Sequence, residues 1–487
     1  MTIQEGLQTT SGSMSSSGTH DGLLESNAST YTRELKSPYD ANDDNGVNQN
    51  SPMINDLPNH GIKKVIFILP SYVKASLEKG DDGYKGTERS AVYTLSELVS
   101  RGIEVHLIAP KGSNIPGVIL HPSCDTPHWD FSDPENPRTA SEETRNKVLR
   151  RTIELMKELV AELKPDIVDC HIAHNEEMDQ ALTRLPVPHM VTFHGPTKDM
   201  PALRDAVLKT PQLPVVTVSE LQQKFLPEAN YVGVVPNGLP RDAIPFRRRT
   251  EEEVQNTSKS GHLVMLTRLS PKKDIPRGIE IAKQSGRHLV IGGALLHDQR
   301  DRAYFDSVLG PLLAGSGASA SVTLRGDVGE ANKAAFLAGA AALLALTKRR
   351  ADDEWGPEYI EADGMHITEA LAAGVPVLCD AGVDPAKVPP RAGFRGCDTV
   401  AAALDALAIL HTVRPEDCRA HFLDNYTVDR TVDKRLRVYA KLVRGFFFSG
   451  SLVAGCLVKW GFVLEFRMTG AEPIKDDLGV LLSVILI

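Results

Sequence analysis

The chain has 487 residues, of which 41% are hydrophobic and 24% are charged. This size suits about two or three domains, and this composition is ordinary for a soluble globular protein. The formal net charge of −9 argues against a nucleic-acid partner. The six cysteines are scattered, with no C-x-x-C pair or His/Cys cluster, so we expect no metal site. Because the N-terminus has no secretory signal pattern, we expect a cytoplasmic protein.

Residues 1–60 are rich in Ser, Thr, Asn, Asp and Gly and contain few large apolar residues. Such a segment cannot bury enough apolar surface to offset the conformational entropy lost on folding. We therefore predict that it is disordered.

Alternating strand and helix patterns begin at Val65. The apolar run Val65–Leu69 predicts a buried strand, Thr87 opens an amphipathic helix, and Glu104–Ile108 predicts the next strand. This is a βαβ unit, for which a right-handed parallel crossover is expected. Further predicted elements of this first domain, residues 61–240, are a helix at Ser141–Leu163 and strands at Asp166–Cys170, Pro188–Phe193 and Val215–Val218.

Two positions in this domain are candidates for ligand contact. The loop before the first helix ends in Lys85-Gly86-Thr87-Glu88-Arg89, which is not the G-x-G-x-x-G fingerprint of a dinucleotide site. His194 comes directly after a predicted strand. A residue just past the carboxyl end of a strand in an open α/β sheet faces the ligand crevice.

Residues 241–260 are polar and charged, and we interpret them as the interdomain linker. Residues 261–430 again alternate between strand and helix patterns, which predicts a second doubly wound domain. The predicted strands are Leu263–Leu266, His288–Ile291, Val322–Leu324 and Leu343–Leu346, and the predicted helices are Ile275–Gln284, Ala303–Leu313, Lys333–Ala341, Thr399–His411 and Pro415–Phe422.

A basic loop follows the first strand of the second domain. It carries Arg268 and Lys273. A forked guanidinium and a compact ammonium both neutralise phosphate charge, so this pair is a candidate site for a diphosphate.

The stretch Ile360–Val377 contains two acids eight positions apart, Glu361 and Glu369. Met365–Ala373 is predicted to be a helix, and the following apolar residues to Cys379 a short buried strand. The N-terminus of such a helix favours phosphate, and a carboxylate can accept from the hydroxyls of a ribose. These features together suit a sugar nucleotide.

This stretch resembles the E-x7-E motif of glycosyltransferase family 4, which usually reads E-x-F-G-x-x-x-x-E-A-x-A-x-G-x-P-V. The matching residues are Glu361, Gly364, Glu369, Ala370, Ala372, Gly374, Pro376 and Val377. Asp363 stands where the family usually has an aromatic residue. Three other segments resemble the family: Lys85–Arg89 its G-G-T-E-R loop, Val234–Gly238 its V-P-N-G segment, and Arg268–Asp274 its G-R-L-x-x-x-K-G segment.

The resemblance implies an α/β GT-B fold, in which two Rossmann-like doubly wound domains face each other across a cleft. It implies retaining transfer of a sugar from a UDP- or GDP-sugar to an acceptor hydroxyl, with no cofactor and no metal. It places Glu361 and His194 against the donor sugar as catalytic residues. The implied donor-binding residues are Gly86, Arg268, Lys273, Gly364, Met365 and Glu369, with Glu369 on the ribose.

The C-terminal region has two parts. Residues 431–445 resemble the helix that crosses back to the first domain in GT-B proteins. Residues 446–487 are largely apolar and have no counterpart in the family. A membrane-associating tail, a packed extension and an aberrant C-terminus are equally open interpretations of this segment.

Two alternatives to an active transferase remain at this stage. The departures at Lys85, Asp363 and Asp274 are compatible with a catalytically degenerate GT-B protein that binds a nucleotide sugar or a protein partner. A sugar-nucleotide epimerase on the same architecture is a third class, which the residues after Glu369 disfavour. The sequence does not define the sugar or base of the donor, nor whether the acceptor is a carbohydrate, a lipid or another small molecule.

Overall fold

The computed structural model of the protein describes residues 60–76, 86–130, 138–172, 175–295, 299–314, 322–349, 355 and 358–458. The chain separates into two compact units, Met1–Asp56 and Leu57–Ile487, and every described residue lies in the second. The predicted disorder of the N-terminal segment therefore concerns residues outside the description, apart from His60. The hydrophobic tail after Val458 lies outside it as well.

The first half of the described chain contains a seven-stranded parallel sheet. The strands in chain order are β1 (Lys64–Ile68), β2 (Glu104–Ala109), β3 (Ile119–Pro122), β4 (Trp129–Asp130), β5 (Arg138–Thr139), β6 (Ile167–Cys170), β7 (His189–Phe193), β8 (Pro214–Thr217) and β9 (Asn230–Val234). The sheet has the spatial order β3-β2-β1-β6-β7-β8-β9, and β4 and β5 form a separate antiparallel pair. The helices are α1 (Gly86–Ser100), α2 (Glu142–Leu163), α3 (Glu176–Leu182), α4 (Pro201–Lys209) and α5 (Glu220–Lys224).

The central strand β1 shows why this sheet is covered on both faces. Val65 and Phe67 pack into one hydrophobic cluster with residues of α1, whereas Ile66 and Ile68 pack into another with residues of α2. Alternate residues of a strand point to opposite faces, so a continuous apolar run requires helices on both sides.

The second half contains a six-stranded parallel sheet in the order β12-β11-β10-β13-β14-β15. Its strands are β10 (Leu263–Leu266), β11 (Leu289–Gly292), β12 (Val322–Gly326), β13 (Ala342–Ala345), β14 (Val377–Cys379) and β15 (Gly393–Phe394). The helices are α6 (Glu251–Ser260), α7 (Ile275–Ser285), α8 (Gln299–Tyr304), α9 (Gly310–Ala314), α10 (Lys333–Leu337), α11 (Met365–Ala372), α12 (Val400–Ala408), α13 (Pro415–Asn425) and α14 (Val428–Val458).

Both sheets have the doubly wound strand order, in which the chain starts near the middle and reverses direction once. The reversal lies between β1 and β6 in the first sheet and between β10 and β13 in the second. Ligands of such sheets bind outside the carboxyl ends of the strands at this switch point. The two predicted Rossmann-like sheets are thus confirmed, and their switch points indicate where to look for a site.

Several predicted elements differ from the structure in ways that have local causes. The polar segment interpreted as a linker contains α6, which begins after Thr250 with a reciprocal capping box to Glu253. The helix predicted from Lys333 ends at Leu337, because Ala338 is extended and Gly339 has a φ of +72°. The strand predicted from Val375 begins only at Val377, because Gly374 (φ +71°) makes the turn that closes α11.

The helix α14 is longer than predicted and returns to the first sheet. Val432, Leu436 and Tyr439 are buried in the same cluster as Val65 and Phe67 of β1. Within the described part of the chain, none of the helices has the length and apolar character needed to cross a membrane.

Candidate functional site

A cavity of about 830 Å³ lies at the carboxyl ends of both sheets. Its lining includes residues that follow β1 and β6 in the first sheet and residues that follow β10 in the second. All of the site residues predicted from the sequence line it: Gly86, His194, Arg268, Lys273, Glu361, Gly364, Met365 and Glu369. The roles assigned to these residues remain predictions.

The start of α11 is shaped by Gly364, which has a φ of +72°. A side chain there would be strained, and a Cβ would lie only 2.9 Å from Ile367 Cδ1. The first amide groups of the helix, those of Met365 and His366, have no intrahelical acceptor. The helix N-terminus therefore presents free N–H groups between Glu361 and Glu369, as the sequence predicted.

Glu361 forms an ion pair with Lys273. Burial alone would raise the pKa of this carboxyl, but the ammonium of Lys273 outweighs it and holds the pKa of Glu361 below its ordinary value. Lys273 also lies over the ring of Tyr359, with Nζ 5.2 Å from the ring centroid. The pair brings together the basic loop after β10 and the loop before α11.

Glu369 is buried and accepts from two cations. Lys333 Nζ lies 2.7 Å and an Arg89 guanidinium nitrogen 2.6 Å from the same carboxylate oxygen, Oε1. Lys333 and Arg89 both also pair with Glu330. Burial alone would lower the pKa of Arg89, but the carboxylates of Glu369 and Glu330 raise it above its ordinary value. Arg89 thus ties α1 of the first sheet to α11 of the second.

The loop that carries Arg268 is held by a close backbone contact. A Cβ on Gly293 would lie 1.6 Å from the carbonyl oxygen of Thr267, so only glycine fits beside this loop. The Arg268 side chain lies against Asp301, with Nε 3.0 Å from Oδ2. Asp274, which replaces a family glycine, has a left-handed φ of +39°. Aspartate is among the non-glycine residues that tolerate this conformation, so the replacement keeps the local backbone.

Gly86 begins α1 and lines the cavity. A Cβ built on it would meet no atom of the described residues within 4 Å. The described residues therefore leave the space over the first turn of α1 open.

His194 belongs to a chain of buried polar groups. Its Nε2 lies 2.6 Å from Nδ1 of His171, and Nε2 of His171 lies 3.2 Å from Oδ1 of Asp169. Asp169 also accepts from the Tyr439 hydroxyl at 2.6 Å and pairs with Arg435. These last two partners belong to α14, so this helix supplies the final members of the series of polar groups.

The ionised state of Asp169, at one end of this series of polar groups, determines where the protons of the two histidines lie. Burial alone would raise the pKa of Asp169, but Arg435 and His171 hold it below its ordinary value, so Asp169 is a carboxylate and can only accept. Burial also lowers the pKa of both histidines, which are therefore neutral at pH 7. A proton on Nε2 of His171 leaves its Nδ1 as an acceptor for the Nε2–H of His194. Nδ1 of His194, a buried atom with no hydrogen-bond partner among the described residues, then carries a lone pair.

Two contrasting surfaces line the cavity. The charged wall consists of Arg268, Lys273, Lys333, Glu361 and Glu369, all from the second half of the chain. The neutral wall consists of Pro70, Tyr72, Trp129, His171, Ile172 and His194, all from the first half.

Sequence reasoning missed several residues of these walls. His171 follows a strand end just as His194 does, so the same topological rule could have identified it. Lys333 carries no signal of its own, because its partner Glu369 is distant in sequence. Arg89 lies in the segment that resembles the family's G-G-T-E-R loop, but its pairing with Glu369 was not predicted. His366 lines the cavity, and burial lowers its pKa to about 4. Asp363, at the family's aromatic position, pairs with Lys387 at 2.8 Å.

Across the described residues, no cluster of three or more His, Cys, Asp or Glu side chains is placed to hold a metal ion. This finding concerns only metal sites formed by protein side chains.

Comparison with known proteins places these features in a family context. Residues 84–242 match the family model described as Glycosyltransferase Family 4. This match confirms the resemblance predicted from the motifs. No curated protein matches this chain in sequence.

Solved structures share the fold of the chain. A glycosyltransferase involved in avilamycin A biosynthesis is 21% identical, with a TM-score of 0.52 over 79% of this chain and 98% of that one. HepE from Anabaena, in complex with UDP and glucose, is 12% identical, with a TM-score of 0.54 over 78% and 100%. Sucrose-phosphate synthase from Thermosynechococcus elongatus is 13% identical, with a TM-score of 0.52 over 82% and 100%. The predicted GT-B fold is thus confirmed.

Proposed function

We propose that this chain, which has the GT-B fold and matches the Family 4 model, is a retaining glycosyltransferase of the hexosyltransferase type. It would move a sugar from a nucleotide-diphosphate sugar, a UDP- or GDP-sugar, to an acceptor hydroxyl. The observation that carries the proposal is the charged wall, where Arg268, Lys273 and the α11 N-terminus converge beside Glu361 and Glu369. Three sources of positive potential beside two carboxylates suit a diphosphate attached to two sugars.

The diphosphate would be held by Arg268, Lys273 and the first amides of α11. A guanidinium, an ammonium and a helix N-terminus each favour phosphate oxygens, and together they stabilise charge on the leaving diphosphate. The open first turn of α1 at Gly86 leaves room for the same group. Lys273 would then be shared between Glu361 and the diphosphate.

Glu369 would accept hydrogen bonds from the ribose hydroxyls. Its carboxylate is already fixed by Lys333 and Arg89, which keep it ionised and oriented. An ionised acceptor makes a stronger hydrogen bond than a neutral one. The HepE complex with UDP and glucose, a protein of the same fold, supports a uridine nucleotide as the first donor to test.

His194, which lines the cavity, would contact the donor sugar. The contact of its Nε2 with Nδ1 of His171, at 2.6 Å, orients the His194 ring. A neutral histidine with a lowered pKa is a weak base. Retaining transfer depends on stabilising the leaving group more than on a strong base, so this state of His194 suits the reaction.

The proposal includes no resident cofactor or metal ion, because the nucleotide sugar is a substrate. The cytoplasmic location and any membrane association of the tail remain predictions.

The test is a transfer assay on the full chain. UDP-glucose, GDP-mannose and ADP-glucose are each incubated with a panel of hydroxyl acceptors, and release of nucleoside diphosphate is followed. Acceptor-dependent release, with the anomeric configuration of the product retained by NMR, is the expected result. Donor binding without release for every acceptor would favour the degenerate binding protein. Conversion of the donor sugar in the absence of acceptor would favour an epimerase.

A further inference from the structure

We propose that Asp363 is a positioning residue, which fixes the loop Glu361–Gly364 against the two passages of the chain between the sheets. Its carboxylate sets the position of Glu361 relative to the first half of the chain. This inference rests on the proposed function, which it deepens by naming a residue that controls the geometry of the same site.

Asp363 departs from the family pattern in a way that changes how the loop is held. It stands where family 4 usually has an aromatic residue, between Glu361 and Gly364. Its side chain is only 5% exposed. An aromatic ring at this position is stabilised by apolar packing, whereas a buried carboxylate requires hydrogen-bond or ionic partners. The partners of Asp363 therefore show which parts of the molecule hold this loop.

The first partner is Lys387, whose side chain is 3% exposed and whose Nζ lies 2.8 Å from Asp363 Oδ1. The ammonium also lies over the ring of Tyr426, with Nζ 4.0 Å from the ring centroid. Separating such a pair would leave two buried charges without partners, which is costly. A buried ion pair adds little stability over apolar residues of similar volume, so its main effect is to favour one arrangement of the segments that it joins.

The second partner is Asn237, a buried residue from the first half of the chain. Ser90 Oγ of α1 donates a hydrogen bond to Asn237 Oδ1 at 2.7 Å, which leaves the Asn237 amide N–H groups to donate elsewhere. Burial raises the pKa of Asp363 above its ordinary value, and Lys387 and the Asn237 amide, which hydrogen-bond to the carboxylate, act in the opposite direction. Through Asn237 the carboxylate is connected to α1.

Both partners stand where the chain passes between the two sheets. The chain leaves the first sheet after β9 and returns to it at the start of α14, and the two passages are hydrogen-bonded to each other. Leu239 N–H donates to Tyr426 O at 3.0 Å, and Val428 N–H donates to Leu239 O at 2.8 Å. Asn237 belongs to the first passage, and Lys387 packs on Tyr426 of the second. The carboxylate thus links the loop to both passages.

This link matters because the proposed contacts to the donor sugar come from both halves of the chain. His194 follows β7 in the first sheet, whereas Glu361 precedes α11 in the second half. Their separation depends on how the loop is held against the passages. Arg268 and Lys273, the proposed ligands of the diphosphate, belong to the loop after β10, which is held by contacts of its own. Loss of the link should therefore lower the rate of transfer more than the affinity for the donor.

The experiment compares two double variants that differ in one side chain. The leucine variant, Asp363→Leu with Lys387→Met, replaces the ion pair by apolar residues of similar volume, a change that usually costs little stability. The asparagine variant, Asp363→Asn with Lys387→Met, also removes both charges but keeps an oxygen that can accept from Asn237. Only the leucine variant loses the link to the first half of the chain.

Two measurements are made on the full chain. Steady-state kinetics uses the most active of UDP-glucose, GDP-mannose and ADP-glucose with its best acceptor. We expect kcat of the leucine variant to fall at least about tenfold, since a misplacement of about 1 Å can cost about 10²-fold. The donor KM should change by less than about threefold, and the asparagine variant should keep most of the wild-type kcat. Amide hydrogen exchange of the free chain should be faster over residues 361–368 in the leucine variant than in the asparagine variant.

A variant of the other partner keeps the test decisive if the leucine variant does not fold. Asn237→Ala removes the same link but leaves the ion pair in place. It should also lower kcat more than it changes the donor KM.

Either of two kinetic results would overturn the inference. Equal kcat in the leucine and asparagine variants would show that the link does not position Glu361. A rise in the donor KM as large as the fall in kcat would mean that Asp363, which lines the cavity, contacts the donor itself.

Failure of the proposed function is recognised separately. If none of the three nucleotide sugars binds and no transfer occurs, that function fails. Hydrogen exchange of the free chain still shows whether Asp363 holds the loop, and equal exchange in the two double variants would overturn the link as well.

Discussion

The two walls of the cavity occupy equivalent positions of the two sheets but differ in charge. Each lies at the switch point of a doubly wound parallel sheet. The charged wall pairs its carboxylates directly with cations, as in Glu361 with Lys273 and Glu369 with Lys333. The neutral wall instead keeps its carboxylate, Asp169, behind two histidines and out of the cavity lining.

This difference shows that one topology can present a charged surface and a neutral surface to the same cavity. A charged substrate group needs fixed charges beside it, whereas a hydroxyl needs a hydrogen-bond acceptor of defined orientation. The sheet supplies the position in both cases, and the residues after the strands supply the chemistry. Variants of both walls and one pH series test whether the walls differ in this way.

The largest expected effect comes from removing charge from the charged wall. Arg268→Ala should lower turnover by about 10²–10³-fold, the usual range for loss of one group that stabilises developing charge. Steady-state kinetics with a saturating acceptor measures it. Arg391→Ala is the matched control, because Arg391 is an exposed arginine paired with Asp424 away from the cavity, and it should leave turnover unchanged. Intact turnover in Arg268→Ala would mean that the diphosphate assignment is wrong.

Beside the charged wall, His366 also lines the cavity, and its protonation should change the free energy of unfolding. Burial lowers the pKa of His366 to about 4 in the folded chain, against about 6.5 when unfolded. Between these values the unfolded chain binds more protons, so the free energy of unfolding should fall as the pH falls from 6.5 to 4. At about 1.4 kcal/mol per pKa unit, a difference of about 2.5 units sets an upper limit of about 3.5 kcal/mol.

Urea unfolding at pH 4.5, 5.5 and 7 checks this prediction. Carboxylates titrate in the same range, so the quantity of interest is the difference between wild type and His366→Gln. The free energy of unfolding of wild type minus that of His366→Gln should increase as the pH rises if burial of the neutral ring is the cause. Equal pH slopes in the two proteins would show that His366 is not held neutral.

On the neutral wall, the orientation of His194 should depend on His171. His171→Leu removes the acceptor for His194 Nε2–H, and we expect turnover to fall by roughly 10–30-fold because both ring orientations become available. His171→Asn places a carbonyl oxygen near the position of Nδ1 and should recover most of the activity. Donor-induced stabilisation should be the same in both variants. A loss of donor-induced stabilisation in His171→Leu would contradict this expectation and would mean that the His194 orientation is needed for donor binding itself, not only for transfer.

The smallest effect is expected at Tyr439, which lies at the end of the series of polar groups that begins with His194. Tyr439→Phe removes one hydrogen bond to Asp169 but leaves Arg435 in place, so the tautomer is kept. We expect a loss of about 1–2 kcal/mol in the free energy of unfolding and little change in turnover. Tyr231→Phe, which removes a hydroxyl bonded to the backbone of Leu226, is the matched control for stability. A large loss of turnover in Tyr439→Phe, but not in Tyr231→Phe, would show that Arg435 alone does not hold Asp169 as the tautomer requires.

The charged wall was largely predictable from the sequence, because its signals are local. Glu361, Gly364 and Glu369 lie on one short stretch, and a strand, a loop and a helix start can be recognised there from turn and capping residues. Arg268 and Lys273 follow a strand that opens a sheet. Local patterns identified the elements and the candidate residues, and the resemblance to family 4 implied that these residues share one donor site.

The neutral wall was mostly missed, because its contacts are long-range. Arg435 and Tyr439 reach Asp169 across 266 and 270 positions of the chain, and no sequence spacing relates them. Tyr72 and Trp129 meet through backbone bonds between the loop after β1 and the two-residue strand β4, and neither segment has a periodic pattern. The short strands β3 and β9 were also missed, since neither is a buried apolar run.

The most direct test of the central claim is thermal unfolding of the full chain with a panel of uridine, guanosine and adenosine diphosphate sugars. A ligand at 100 times its Kd adds about 2.7 kcal/mol to the free energy of unfolding, which should raise the midpoint by several degrees. We predict a shift with donors of one base, lost in Glu369→Gln, because the amide cannot replace the carboxylate between Lys333 and Arg89. The absence of a shift with every donor would contradict the claim that the charged wall binds a nucleotide sugar.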